Sequence, residues 1–128
     1  MTELKKKIVV IEDEADILEL LNMVLTNAGY DVFLCDNGRN AIDLISKVRP
    51  HLVILDVMLP GFDGQAIVKA MSESDDLVET TVLITSALEE SRKMFISYPQ
   101  VRDFCIKPFR TSGLLQKVRE LMGDAQSA

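Results

Sequence analysis

The sequence holds a single histidine, two cysteines and no apolar run approaching the ~20 residues of a membrane span. Each shortage narrows the field. Cys35 and Cys105 fall at strand-like positions without paired spacing, so they read as reduced core residues of a cytoplasmic protein. His51 opens an expected strand and reads as an exposed strand-start residue. The segment Met1 to Lys7 runs straight into a strand, and its apolar stretch is too short for a signal peptide. Basic residues are in the minority: 14 Lys and Arg face 20 Asp and Glu, for a net charge of -6. That balance disfavours nucleic acid as a direct partner. No internal repeat, low-complexity run or interdomain linker is present. The expected home is the cytoplasm, with no membrane association.

What remains is enough for one domain and one core: 128 residues, 48% of them hydrophobic. Short apolar runs alternate with segments of helical period. Ile8 to Ile11 reads as a strand. A helix follows with Ile17, Leu20, Leu21, Val24 and Ala28 on one face, and Gly29 at its end. Asp31 to Cys35 is the second strand. Ala41, Ile42, Leu44, Ile45 and Val48 mark the second helix, stopped by Pro50. Leu52 to Leu55 is the third strand, and Asp63 caps a helix reaching about Met71. Val82 to Thr85 is the fourth strand, followed by a weaker helix over 88–96. Phe104 to Ile106 is the fifth strand, and Leu114 to Met122 carries the last helix.

Regular alternation of this kind predicts a parallel sheet with helices on both faces. Strands one, three and four are continuous apolar runs and suit the centre; strand two is mixed and suits an edge. The expected fold is α/β, a flavodoxin-like (βα)5 three-layer sandwich with strand order 2-1-3-4-5. In that order Glu12, Asp13, Asp56, Ser86 and Lys107 all fall at carboxyl ends of strands, where ligands bind. Three carboxylates on one site repel. At about 4 Å and an effective dielectric near 20, each pair costs roughly 4 kcal/mol. Such a cluster needs a cation or a proton. All-oxygen ligands favour a hard ion, and Mg²⁺ typically pairs few carboxylates with phosphate oxygens. Lys107 can offset anionic charge from the other side, and Ser86 offers a hydroxyl.

At these residues the chain resembles the receiver domain of bacterial two-component response regulators. The matching stretches are Ile8-Val9-Val10-Ile11-Glu12-Asp13-Glu14, Leu55-Asp56-Val57-Met58-Leu59-Pro60-Gly61-Phe62-Asp63-Gly64, Ile84-Thr85-Ser86-Ala87, and Asp103-Phe104-Cys105-Ile106-Lys107-Pro108-Phe109. The resemblance covers essentially the whole chain. It implies a receiver domain over 1–122 and a flexible tail over 123–128. It implies that Asp56 accepts a phosphoryl group from the phosphohistidine of a sensor histidine kinase or phosphotransfer protein. It implies Mg²⁺ held by Glu12, Asp13, Asp56 and the main-chain carbonyl of Met58. Lys107 would pair with the phosphoryl group, across a cis Lys107-Pro108 bond. Ser86 and Phe104 would be the switch residues. They would report to a surface of helix four, strand five and helix five that meets a downstream protein, a fused output domain or a second copy.

The chain departs from the family in places. Phe104 stands where tyrosine is frequent, so a hydrogen bond from that ring tip is lost. The segment from Phe95 to Arg102 lacks the small Gly-Ala step, and Pro99 and Gln100 predict a local variation of the helix-four surface. Met58 and Leu88, apolar where many relatives are polar, are expected to shield an acyl phosphate from water. Two rival functions stand beside the signalling switch. One is a phosphatase working through an aspartyl phosphate, although Met58 occupies the place of its usual second aspartate. The other is a pseudo-receiver that binds partners without phosphorylation.

Overall fold

A computed structural model of the chain describes residues 5–59 and 63–124. Five strands and five helices alternate: β1 (Lys7–Ile11), α1 (Ala15–Asn27), β2 (Asp31–Cys35), α2 (Ala41–Val48), β3 (Leu52–Asp56), α3 (Gly64–Ser72), β4 (Thr81–Ser86), α4 (Ser91–Met94), β5 (Val101–Ile106) and α5 (Thr111–Met122). All strand pairs are parallel, in the order β2-β1-β3-β4-β5. The flavodoxin-like order read from the sequence is therefore the observed one.

Strand alternation sorts the core into two layers. Val9, Ile11, Val53, Leu55, Val82 and Ile84 meet α2, α3 and Phe95 on one face. Ile8, Val10, Leu52, Ile54 and Leu83 meet α1 and α5 on the other. β1 and β3 bury both faces, which is why they read as unbroken apolar runs. The helices end where local chemistry stops them. Gly29 follows α1 at φ 100, a conformation that costs a β-carbon dearly. Asp63 caps α3 by accepting the Gln65 N–H at 2.9 Å. A β-carbon on Gly64 would lie 3.2 Å from Val57 Cα, so any other residue there would press α3 against the turn after β3.

Three elements differ from expectation. α4 spans only Ser91–Met94 rather than 88–96. The Leu88 N–H is taken by the Ser86 hydroxyl, which offers the backbone an alternative to a helical turn. At the other end the chain turns through Tyr98 N–H to Phe95 O, with Pro99 next. β5 starts at Val101, three residues before the expected start. Between Val82↔Val101 and Leu83↔Asp103 the strand carries one extra residue, Arg102. That bulge breaks the alternation that marks a strand in sequence. Asp124, which falls in the stretch expected to be a flexible tail, is tied down. Asp124 accepts from Lys6 Nζ at 2.7 Å and from Tyr30 OH at 2.6 Å, and Lys6 Nζ also reaches Met122 O at 2.7 Å. Burial, then the Asp124 carboxylate, raises the Tyr30 phenol above its usual range, while Lys6 and Tyr30 hold Asp124 below the usual carboxylate value. Residues 125–128, and Pro60-Gly61-Phe62 of the motif after Asp56, lie outside the described residues.

Gln100 holds the varied α4–β5 region to the loop before β4. Its Nε2 donates to Thr80 O at 3.1 Å and to Leu77 O at 3.3 Å. Gln100→Ala leaves both carbonyls without this donor and is expected to cost about 2 kcal/mol in urea denaturation. A loss below about 0.5 kcal/mol would show that water replaces the side chain at no penalty.

Candidate functional site

The carboxyl ends of β1, β3 and β5 deliver Glu12, Asp13, Asp56 and Lys107 to one rim of the sheet. Glu12 and Asp13 follow β1, Asp56 ends β3, and Lys107 follows β5. Glu12 and Asp56 are 1% and 2% exposed, while Asp13 reaches solvent. One oxygen from each of the three carboxylates lies within 4.8 Å of the others. The sequence expectation of a convergent acidic pocket is thus met in space.

Lys107 Nζ sits between the two buried acids, 2.8 Å from Glu12 Oε1 and 3.1 Å from Asp56 Oδ2. The other oxygen of each carboxylate accepts a backbone N–H. Glu14 N donates to Glu12 Oε2 at 3.1 Å, and Met58 N donates to Asp56 Oδ1 at 2.9 Å. Both Asp56 oxygens are therefore oriented, one by an ammonium and one by an amide. Lys107 is itself held in place: its N–H donates to Ser86 O at 2.6 Å, and its bond to Pro108 is cis.

The charges are not fully compensated. Burial pushes the Glu12 carboxyl from its ordinary 4.5 up to about 7, against the opposing pull of Lys107 and the Glu14 N–H. The Asp56 carboxylate adds to the rise. Burial works against the Lys107 ammonium, but its bonds to Glu12 and Asp56 outweigh it and leave the group raised. One ammonium shared by two buried carboxylates leaves negative charge over, and the solvent-facing Asp13 adds more. The donor set is all oxygen, partly open and compact, which fits a hard divalent cation of the Mg²⁺ type.

The Ser86 side chain stands apart from this network. Its hydroxyl contacts the turn into α4: Leu88 N donates to it at 3.0 Å, and Ser91 Oγ lies 2.7 Å away. Among the described residues it forms no hydrogen bond with Asp56 or Lys107. Phe104 lies on the α4 side too, with its ring centroid 6.3 Å from that of Phe95 and the Arg92 guanidinium 5.0 Å above it. Ser91 and Arg92 were invisible as functional candidates in sequence. A serine and an arginine in a polar stretch carry no periodic or motif signal; only the fold brings them to the switch residues. His51 lies at the opposite end of β3, exposed, with Nδ1 accepting the Lys7 N–H at 3.0 Å.

A doubly wound parallel sheet binds ligands at the carboxyl ends of its strands, where this chain carries an acid cluster and a lysine. The comparisons with known proteins agree. The family model for the response regulator receiver domain matches residues 8–119, and the chain belongs to that family. It is similar in structure to the chemotaxis response regulator CheY4 of Vibrio cholerae, with a TM-score of 0.85 and 24% identity over 92% of this chain and 99% of that one. The receiver domain of a signal transduction histidine kinase from Syntrophus aciditrophicus has a TM-score of 0.80 and 29% identity, covering 96% of each chain. The receiver domain of a sensor histidine kinase from Pseudomonas aeruginosa superposes with a TM-score of 0.83 at 20% identity, covering 94% of this chain and 100% of that one. That structure has a magnesium ion coordinated in its active-site cleft.

Glu12 binds its proton more readily in the folded chain than in the unfolded one. Its contribution to stability is complete below about pH 4.5 and is lost as the pH rises through about 7. In metal-free buffer, wild type is expected to lose stability relative to Glu12→Gln between about pH 5 and about pH 8. Denaturation midpoints of both proteins at the two pH values check this. A difference that does not change with pH would mean that Glu12 stays ionised throughout.

Proposed function

We propose that this chain is a phosphoacceptor switch in which Asp56 takes a phosphoryl group from a phosphohistidine. The observation that carries the reading is the oriented Asp56 carboxylate: it is buried, held by Lys107 and the Met58 amide, and adjacent to Glu12 and Asp13. Phosphoryl transfer asks little acid–base chemistry of the protein and much alignment and charge compensation. An Asp56 oxygen attacks phosphorus; the new O–P bond forms as the P–N bond to the donor imidazole breaks, and the electron pair leaves on that nitrogen. A divalent cation held by Glu12, Asp13, Asp56 and the Met58 carbonyl would supply charge compensation for the phosphoryl oxygens. Lys107 would exchange its contact with Asp56 for one with a phosphoryl oxygen while retaining its contact with Glu12. Ser86 would donate its hydroxyl to another phosphoryl oxygen.

The donor histidine comes from a partner, a sensor histidine kinase or a phosphotransfer protein, because His51 is at the far end of the sheet. An apolar groove of about 480 Å³ beside Lys107, lined by Ile17, Leu20, Pro108 and Phe109, offers that partner a seat. The output surface is α4, β5 and α5, with Phe104 on β5 and the exposed Ile96 just after α4. It would meet a downstream protein, a fused output domain or a second copy. The module signals rather than turns over substrate, and its place is the cytoplasm.

Incubation with acetyl phosphate and Mg²⁺ is expected to add a single phosphate by intact mass, absent from Asp56→Asn and lost on chelation. No labelling of wild type would favour a partner-binding pseudo-receiver. Sustained catalytic release of phosphate would favour a phosphatase.

Met58 and Leu88 are 55% and 48% exposed, placed after Asp56 and Ser86 at the mouth of the site. Their apolar side chains are expected to keep attacking water from the acyl phosphate. Met58→Asn and Leu88→Glu should each shorten the phosphate lifetime severalfold. Loss within seconds in wild type, unchanged in both variants, would remove any shielding role.

A further inference from the structure

Ser86 and Ser91 are both buried, 0% and 3% exposed, and their hydroxyl oxygens are 2.7 Å apart. Ser86 Oγ also accepts the Leu88 N–H at 3.0 Å and lies 3.3 Å from Leu88 O. A hydroxyl has one proton and two acceptor sites. Every partner that Ser86 finds for them belongs to the turn after β4 or to Ser91, the first residue of α4.

We propose that Ser91 is a latch, a positioning residue whose hydroxyl holds Ser86 Oγ on the α4 turn until a phosphoryl group on Asp56 competes for it. The inference rests on the phosphoacceptor reading of Asp56. A phosphoryl oxygen is a charged acceptor, and charge-assisted hydrogen bonds are roughly twice as strong as neutral ones. Ser86 has only one proton to give, so donating it to phosphate withdraws it from the turn. Ser91 is then a buried hydroxyl with its short contact broken, an arrangement that proteins seldom leave unrepaired. The repair available is movement of the first turn of α4. That turn is short and yields easily, spanning Ser91–Met94 with backbone bonds of Ser91 to Leu88, Arg92 to Glu89 and Lys93 to Glu90. Arg92 is the next residue, and its guanidinium lies 5.0 Å over the Phe104 ring. Release of Ser91 therefore displaces the cation that covers Phe104. Adjacent residues of one turn touch both switch residues, so Ser86 and Phe104 are coupled through α4 without a hydroxyl on the aromatic ring.

The test uses the full chain, Mg²⁺ and beryllium trifluoride, an anion that stands in for the phosphoryl group on Asp56. Ser91→Ala removes one neutral hydrogen bond from the latched form alone. Half-saturation by beryllium trifluoride is expected to fall about fivefold, the factor that one such bond is worth. In a Ser86→Ala background the same substitution should change nothing, because the bond is already gone. A general loosening of the fold would act in both backgrounds. As a second readout, the Leu88 amide in wild type should lose hydrogen-exchange protection on saturation, as its acceptor turns away. Equal half-saturation in wild type and Ser91→Ala, a Ser91→Ala effect that persists without Ser86, or unchanged Leu88 protection would each overturn the latch. If wild type shows no Asp56-dependent binding at all, the phosphoacceptor reading falls and takes the latch with it. Asp56-dependent binding without a Ser91 effect overturns the latch only.

Discussion

The Lys107 ammonium between Glu12 and Asp56 is the contact on which the rest of the site depends. Two carboxylates buried this deeply repel each other and have lost most of their water. A shared cation at 2.8 Å and 3.1 Å makes the arrangement tolerable, and the two backbone donors complete it. Burial still raises the Glu12 carboxyl, against the pull of Lys107 and the Glu14 N–H. With Asp13 beside them, two buried carboxylates share one ammonium, an all-oxygen set that fits a divalent cation. A more perfectly neutralised pocket would be more stable and less receptive. Stability is given up where ligand binding can restore it.

Side-chain alternation along the strands gives the sheet two sides with different duties. Glu12 continues the series of Ile8 and Val10, and Asp56 that of Leu52 and Ile54, all in the layer against α1 and α5. Lys107 follows Cys105 of the same layer. Ser86 continues the series of Val82 and Ile84, and Phe104 packs into that same opposite layer with Phe95. In the proposed switch, reception belongs to one series of strand positions and read-out to the other. The two meet only at the carboxyl rim, where Lys107 N–H is bonded to Ser86 O. A message that crosses the sheet must pass through a rim residue free to change partners. Ser86 has the required group, a hydroxyl whose present partners are all on the α4 turn.

Much of this was legible in the sequence, for physical reasons that differ by element. β1, β3 and β4 are covered on both faces, so burial writes itself as an unbroken apolar run. The mixed pattern of β2 marks an edge, and that asymmetry gives the strand order. The acids and Lys107 stand out because charges at the ends of buried strands need a reason. The varied region after β4 was less legible. A hydroxyl that captures the Leu88 amide shortens α4, and the Arg102 bulge disguises the start of β5. Both are side-chain or register effects that depend on neighbours distant in sequence. Asp124 makes the same point at the other end of the sheet. Nothing in a polar C-terminal stretch foretells that Lys6 and Tyr30 will grip it. Ser91 and Arg92 are the strongest case, since their roles exist only through their distances to Ser86 and Phe104.

The absence of a phenolic hydroxyl at position 104 changes what can hold the ring in the proposed switch. A phenol can be fixed in either of two positions by a hydrogen bond at its tip. A phenylalanine has only its faces and edges to offer. Here Phe95 packs against the ring and the Arg92 guanidinium lies over it, an interaction worth about 0.5–1 kcal/mol at an exposed site. Arg92 is also drawn sideways by Glu89, whose carboxylate is 2.6 Å from its Nε. Such exposed contacts are individually weak. Weakness suits a switch, because a two-state element responds only if the difference between its states is small beside the energy of the input. One charge-assisted bond at Ser86 is of the right size to outweigh the stacking at Phe104. In the proposed switch, strong capping of the ring would leave the α4 side indifferent to what happens at Asp56.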